Sequence, residues 1–238
     1  MKKYMTMRRF ISRAAMTLLL CVLTAATAGA ETIVENVAYV DANGNAQTAS
    51  KATVVTSDMG GTSAANFSSS YAWYYVNSDV TLDGAYNNVG GTQNIILGDG
   101  ATLTINGRFK FTYASVNIYC QSVGTGKLVV SGNITGNGTI ISGGTLTING
   151  GTVEVTNTGD WGNGLFGNLV MNGGTATFTC NNYDSGDAVD GSVTLNGGTF
   201  TASSGDWVGV CSGTMTIADG KYFKDGSGNI FYGTLSAQ

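Results

Sequence analysis

Between Thr145 and Phe178 apolar and polar residues alternate in short runs that break at a repeated corner. Leu146 and Ile148 flank Thr147 ahead of Asn149-Gly150-Gly151-Thr152. Leu169 and Met171 flank Val170 ahead of Asn172-Gly173-Gly174-Thr175, and Val193 and Leu195 flank Thr194 ahead of Asn196-Gly197-Gly198-Thr199. Past each corner the alternation resumes, with Val153 and Val155, Ala176 and Phe178, Phe200 and Ala202 on one face. Thr152, Glu154, Thr175, Thr177, Thr199 and Thr201 fall on the other. A period of two predicts strands with one buried face. An Asn-Gly-Gly corner predicts a turn through positive φ, which Gly and Asn enter at least cost.

The corners stand 23 and 24 residues apart, and a weaker fourth, Ala218-Asp219-Gly220-Lys221, follows after 22. A fixed period of this size marks a solenoid, whose units bury their apolar face only by stacking on one another. The pattern extends backwards. Thr102-Leu103-Thr104-Ile105-Asn106-Gly107 repeats the residues before Gly151 almost letter for letter, Val80-Thr81-Leu82-Asp83-Gly84 lies one period earlier, and Lys127–Gly132 fills the interval somewhat out of phase. The expectation is an all-β, single-stranded parallel β-helix of about seven coils over 71–238. An N-terminal hairpin or cap and linker over 31–70 precedes it, its turn signalled by Asn43-Gly44. Trp73 and Tyr75, in an aromatic cluster with Tyr71 and Tyr74, are expected to plug the open end.

Residues 1–30 read as a signal peptide. Lys2, Lys3, Arg8, Arg9 and Arg13 precede an apolar run from Ala14 to Thr27 and the cleavage pattern Ala28-Gly29-Ala30. The expected destination is therefore secreted, extracellular or cell-surface. The leader holds five of the eleven basic residues and none of the fifteen acidic ones, so the remainder is strongly acidic. That argues against nucleic acid or an anionic membrane as partner. The alternative, an uncleaved membrane anchor, is disfavoured because the apolar run is shorter than the ~20 residues a span needs, and no transmembrane segment is expected in the mature chain.

The chain has no proline, as suits uninterrupted strand ladders, and no histidine, which excludes Ser-His-Asp, Cys-His and histidine–metal chemistry. Cys120, Cys180 and Cys211 remain after the leader. An odd count does not close a disulfide framework, and the parity of the neighbouring residues predicts small buried hydrophobes.

The segments SDVTLDG, ILGDGATLTING, GTGKLVVSG and above all ISGGTLTINGGTVEV followed by GDWGNGLFGNLVMNGGTATF resemble bacterial secreted carbohydrate-binding domain-containing proteins. The likeness covers about Trp73 to Gly233. It implies a right-handed parallel β-helix of the pectate-lyase-like type. Where that family carries an acidic G-D-D-x-I pattern, this chain has Gly159-Asp160-Trp161, Gly186-Asp187-Ala188 and Gly205-Asp206-Trp207.

Those three sites are the candidate ligand-binding residues: Trp161 and Trp207 with Asp160, Asp187 and Asp206. Averaging one coil apart, they are expected to stack as a column, an indole offering a flat face to a pyranose and a carboxylate accepting its hydroxyls. The alternative is that the indoles fill a corner of the coil and the carboxylates cap turn amides. The outward threonine columns could match ice or a crystalline polysaccharide, although threonine is also simply favoured on wet strand faces. Calcium through scattered aspartates has little support, since no D-x-D-x-D run is present, and no other cofactor is expected.

Lyases of this shape need a clustered base, and Arg108 stands without acids nearby in sequence. Hydrolases need paired carboxylates, for which only Asp187 and Asp190 offer themselves. The reading is a non-enzymatic binding or adhesion module whose partner is a polysaccharide or glycan. The alternative is a structural adhesin stalk or spacer that contacts surface proteins.

Overall fold

The computed structural model describes residues 31–61, 71–87, 90–111, 114–135, 138–180, 186–203, 209–224 and 228–235. Residues 1–30, where a signal peptide is expected, and Asp206 and Trp207 lie outside them. The chain is an all-β parallel solenoid. Its entry is an antiparallel hairpin, β1 (Ile33–Val40) and β2 (Ala46–Val54), which turns through Gly44 at φ +80°. Asp41 clamps this turn by accepting the amides of Asn43 and Asn45, each at 2.9 Å. β3 (Trp73–Val76) follows.

Six coils are then laid down. They are β4 (Val80–Leu82), β5 (Ala85–Asn87) and β6 (Gly91–Leu97); β7 (Thr102–Asn106), β8 (Phe109–Phe111) and β9 (Ala114–Cys120); β10 (Lys127–Gly132) and β11 (Thr139–Ile148). Next come β12 (Thr152–Asn157) and β13 (Asn163–Met171); β14 (Thr175–Cys180), β15 (Val189–Asp190) and β16 (Val193–Leu195); and finally β17 (Thr199–Ser203) and β18 (Met215–Ile217). The sequence pattern suggests seven. The front wall holds six strands, β4, β7, β10, β12, β14 and β17.

Three walls enclose the core. Opposite the front wall stands a back wall of β3, β6, β9, β11, β13, β16 and β18, and a side wall is made of β5, β8, β15 and the first halves of β11 and β13. A register shift between Ser142 and Thr145 lets β11 pass from side to back. Within each wall residues of equal rank stack. Tyr74, Ile95, Ile118, Ile148, Met171, Leu195 and Ile217 form one buried column. Leu103, Leu128, Val153, Ala176 and Phe200 form another across the cavity. The outward column Thr152, Thr175, Thr199 and the pair Thr177, Thr201 stack as expected, and Lys127 crosses to Glu154 at 2.8 Å on the same face.

The asparagine of each corner has a role different from the one its turn propensity suggests. Positive φ falls on the second glycine, at +75° in Gly151, +73° in Gly174 and +76° in Gly198, and not on the asparagine. Asn172 instead donates its side-chain amide to Asn149 at 2.8 Å, and Asn196 donates to Asn172 at 2.9 Å. The corner asparagines form a hydrogen-bonded ladder up the solenoid.

The N-terminal end departs from expectation in its parity. Tyr74 and Val76 point inward and are buried, whereas Trp73 and Tyr75 point outward. They enter a second small core with Val34, Val37, Ala49, Ala52, Val54 and Ile96, formed where the hairpin lies on the outer face of β3, β6 and β9. The rings of Tyr39, Trp73 and Tyr119 meet there at 4.7–5.6 Å. Pairing of Val54 with Tyr75 sets this phase, so the solenoid's first rung is the tail of β2. Val55 and Met59 continue it over the end of the core.

At the other end β19 (Phe223–Lys224) and β20 (Ile230–Phe231) pair with each other. Phe223 and Phe231 pack on the last rung, while Tyr222 and Tyr232 stand outside, exposed. β21 (Thr234–Leu235) closes the back wall by pairing with β18.

The three cysteines among the described residues, Cys120, Cys180 and Cys211, are free thiols. Cys120 and Cys180 are buried and Cys211 is half-buried. Burial raises each thiol above its ordinary pKa, Cys180 to about 11, so none is a ready thiolate at neutral pH.

Candidate functional site

The turn over 158–162 joins β12 to β13, and its organiser is Asn157, a residue the sequence pattern leaves unremarked. The side chain of Asn157 is fully buried. Its Oδ1 accepts the amides of Ile134 at 3.1 Å and Gly159 at 3.0 Å, and its Nδ2 donates to the carbonyl of Asn163 at 3.2 Å. Ile134 belongs to the corresponding loop of the preceding coil, so one amide ties two successive loops together. Gly159 and Gly162 press against that lower loop. A Cβ at either position would run into the carbonyl oxygen of Ile134.

Between these buried glycines Asp160 and Trp161 are exposed. The indole of Trp161 is 50% exposed, and its backbone sits at φ +68°. A bulky residue in the left-handed region costs on the order of 1 kcal/mol, a cost that persists only where the surroundings over-determine it. Here the two glycine contacts and the Asn157 clamp do so. Trp161 therefore does not fill the corner of the coil.

Asp187 occupies a different rank. Pairing of Leu165 with Val189 sets Asp187 opposite Asn163, three residues beyond Asp160, so Asp160 and Asp187 do not share a column. In one coil the Gly-Asp pair sits in the middle of the turn, and in the next it lies just ahead of β15. Asn163 accepts the Asp187 amide at 2.8 Å and donates to Asp190 at 3.1 Å, and Ser212 donates to Asp190 at 2.8 Å. The Asp187 carboxyl is pushed above the ordinary carboxylate range by burial and then by the charge of Asp190, against the opposing hydrogen bond from the Gly209 amide.

This shift has a pH consequence. A raised folded-state pKa means that the native chain holds the proton more tightly than the unfolded one, so the penalty is complete above the folded pKa. It vanishes as pH falls into the ordinary carboxylate range. Asp187→Asn keeps the acceptor for Gly209 without the charge. The variant is expected to melt above the parent at pH 7 and to converge with it near pH ~3.5, below the reference aspartate value, when thermal unfolding is followed across pH.

Phe166 is a further exposed aromatic, 55% accessible on the outer face of the side wall, where it stacks between Ser142 and Asp190. Its outward direction was legible from Leu165, its inward neighbour. Among the described residues no group of three or more Cys, Asp or Glu side chains gathers where a metal ion could be held. Comparison with protein-family models, with curated proteins and with solved structures finds no match for the chain.

Proposed function

We propose that the chain is an exported, non-enzymatic binding module for carbohydrate, and that Trp161 with Asp160 forms the contact. The observation that carries this reading is the exposed indole held at φ +68° on two buried glycine footholds. A half-exposed tryptophan gains nothing for the core, yet the fold supports it rigidly and at a conformational cost. A rigid, flat apolar face beside a solvated carboxylate is the pairing that sugar recognition uses: C–H faces pack on the ring while hydroxyls donate to the carboxylate. Asp187 does not stand in line with this pair, so the contact proposed is compact and centred on one turn.

The test is a glycan array read with the parent protein, Trp161→Ala and Trp161→Tyr. The alanine variant is expected to lose at least roughly ten-fold in affinity for any glycan the parent binds, about 1.4 kcal/mol. The tyrosine variant, which keeps an aromatic face, is expected to recover most of it. Unchanged binding by the alanine variant removes Trp161 from the site.

A further inference from the structure

The C-terminal end of the front wall holds a groove of about 490 Å³, lined by Leu195, by Gly197–Phe200 and by Gly220–Lys224. Its volume falls within the range of ligand sites. It exists because the chain leaves the solenoid one strand early. The corner at Ala218–Lys221 leads to where the next front-wall strand belongs, but β19 pairs with β20 instead. β17 is left with β14 as its sole neighbour among the described residues.

The backbone shows what this edge offers. Thr199 donates its amide to Gly174 on the β14 side at 2.9 Å. In a parallel ladder the N–H and C=O of one residue face the same neighbour and those of the next residue face the other. Thr199, Thr201 and Ser203 are therefore committed to β14, while Phe200 and Ala202 present their N–H and C=O to the groove. β17 carries no proline, bulge or charge to protect that edge. Lys221 and Lys224, both exposed, flank the groove, and neither has an ion-pair partner among the described residues.

We propose that this groove takes an extended strand of a partner protein, added in β-augmentation along β17, with apolar and acidic residues in alternation. Two hydrogen-bonding residues spaced one apart match a strand. The core-facing positions over Leu195 and Phe200 call for apolar side chains at every second residue of the incoming segment. Its alternate side chains lie at the rim with the two unpaired lysines, which selects carboxylates.

The experiment uses a fluorescein-labelled hexapeptide of alternating valine and aspartate, and its valine–lysine counterpart, in anisotropy titrations against the full chain. The acidic peptide is expected to bind at least roughly ten-fold more tightly than the basic one, to lose that binding in Ala202→Pro, and to weaken in the double variant Lys221→Glu/Lys224→Glu. Ala202→Pro removes a groove-facing N–H and no ladder bond to β14, and circular dichroism checks its fold. Should it fail to fold, the lysine pair, which lies outside the β14–β17 ladder, decides the question. Absence of binding, equal affinity for both peptides, or a dimer of the chain alone that Ala202→Pro dissociates would each overturn the proposal.

Discussion

Replacing Asn157 by leucine is expected to lower the unfolding free energy by about 2 kcal/mol, although the two side chains are close in size. The amide satisfies three backbone groups, the buried N–H of Gly159 and the part-buried N–H of Ile134 and C=O of Asn163. Left without a partner, the buried group costs about 1–3 kcal/mol and each part-buried one about 1 kcal/mol. Burial of a leucine side chain returns part of that sum, about 1.5–3 kcal/mol, and the remainder is the net loss. Urea unfolding followed by circular dichroism measures it.

Asn157→Asp separates the two kinds of bond. It keeps both accepted hydrogen bonds and, while ionised, lacks the donor to Asn163, so its deficit is expected to shrink on acidification as the carboxyl gains a proton it can donate. A loss for leucine below about 1 kcal/mol, within the usual range of a single exposed hydrogen bond, would mean that the loops of successive coils are not tied through this residue. The glycan-array response should follow stability here, because the same clamp fixes the turn that presents Trp161.

The architecture was legible because alternation and period are both written in residue type. The column Ile148, Met171, Leu195 and Ile217 is in register in the structure as the corner spacing requires. What the pattern did not carry is the phase around the coil. Thr102–Asn106 repeats the letters of Thr145–Asn149, yet it lies in the front wall, in register with Lys127–Ser131, whereas Thr145–Ile148 lies in the back wall. Inward and outward alternation is the same on every wall, so identical strings fit either. Thr102 enters the front wall after a corner with Gly100 at φ +77°, as Thr152 does after Gly151 at φ +75°.

Lys127–Gly132, out of phase by letter matching, is in phase by register with both β7 and β12. The same ambiguity inverted Trp73 and Tyr75. An aromatic run of alternating burial has two equally apolar faces, and the pairing with β2 chose Tyr74 for the core. At the candidate site the Gly-Asp-Trp turn was legible, but whether Trp161 faces solvent or fills the corner of the coil was open in the sequence. Asn157 was not legible, because its value lies in backbone groups of Ile134 and Asn163, one of which belongs to another coil.

Phe178→Ala is expected to cost about 3–5 kcal/mol, in the range of buried aromatic truncations, and restoring the lost volume one step away is expected not to rescue it. In the front wall Ala176 stacks on Phe200 and Phe178 on Ala202, so at these two rungs each column sets a small side chain against a large one. The two rings lie diagonally and meet edge to face at 5.9 Å. The double variant Ala176→Phe/Phe178→Ala conserves total side-chain volume. It also places one ring directly below that of Phe200 in the first column and leaves two alanines adjacent in the second, so one column is overpacked and the other holds a cavity. In a core that behaved as a fluid the double variant would regain the stability of the parent. In a solenoid whose laps are locked by strand register, side chains cannot exchange columns, and the double variant is expected to be no more stable than Phe178→Ala alone when both are unfolded in urea. Recovery to within about 1 kcal/mol of the parent, the cost of a tolerated volume-conserving exchange, would show that these rungs slip or repack and that the columns are not fixed.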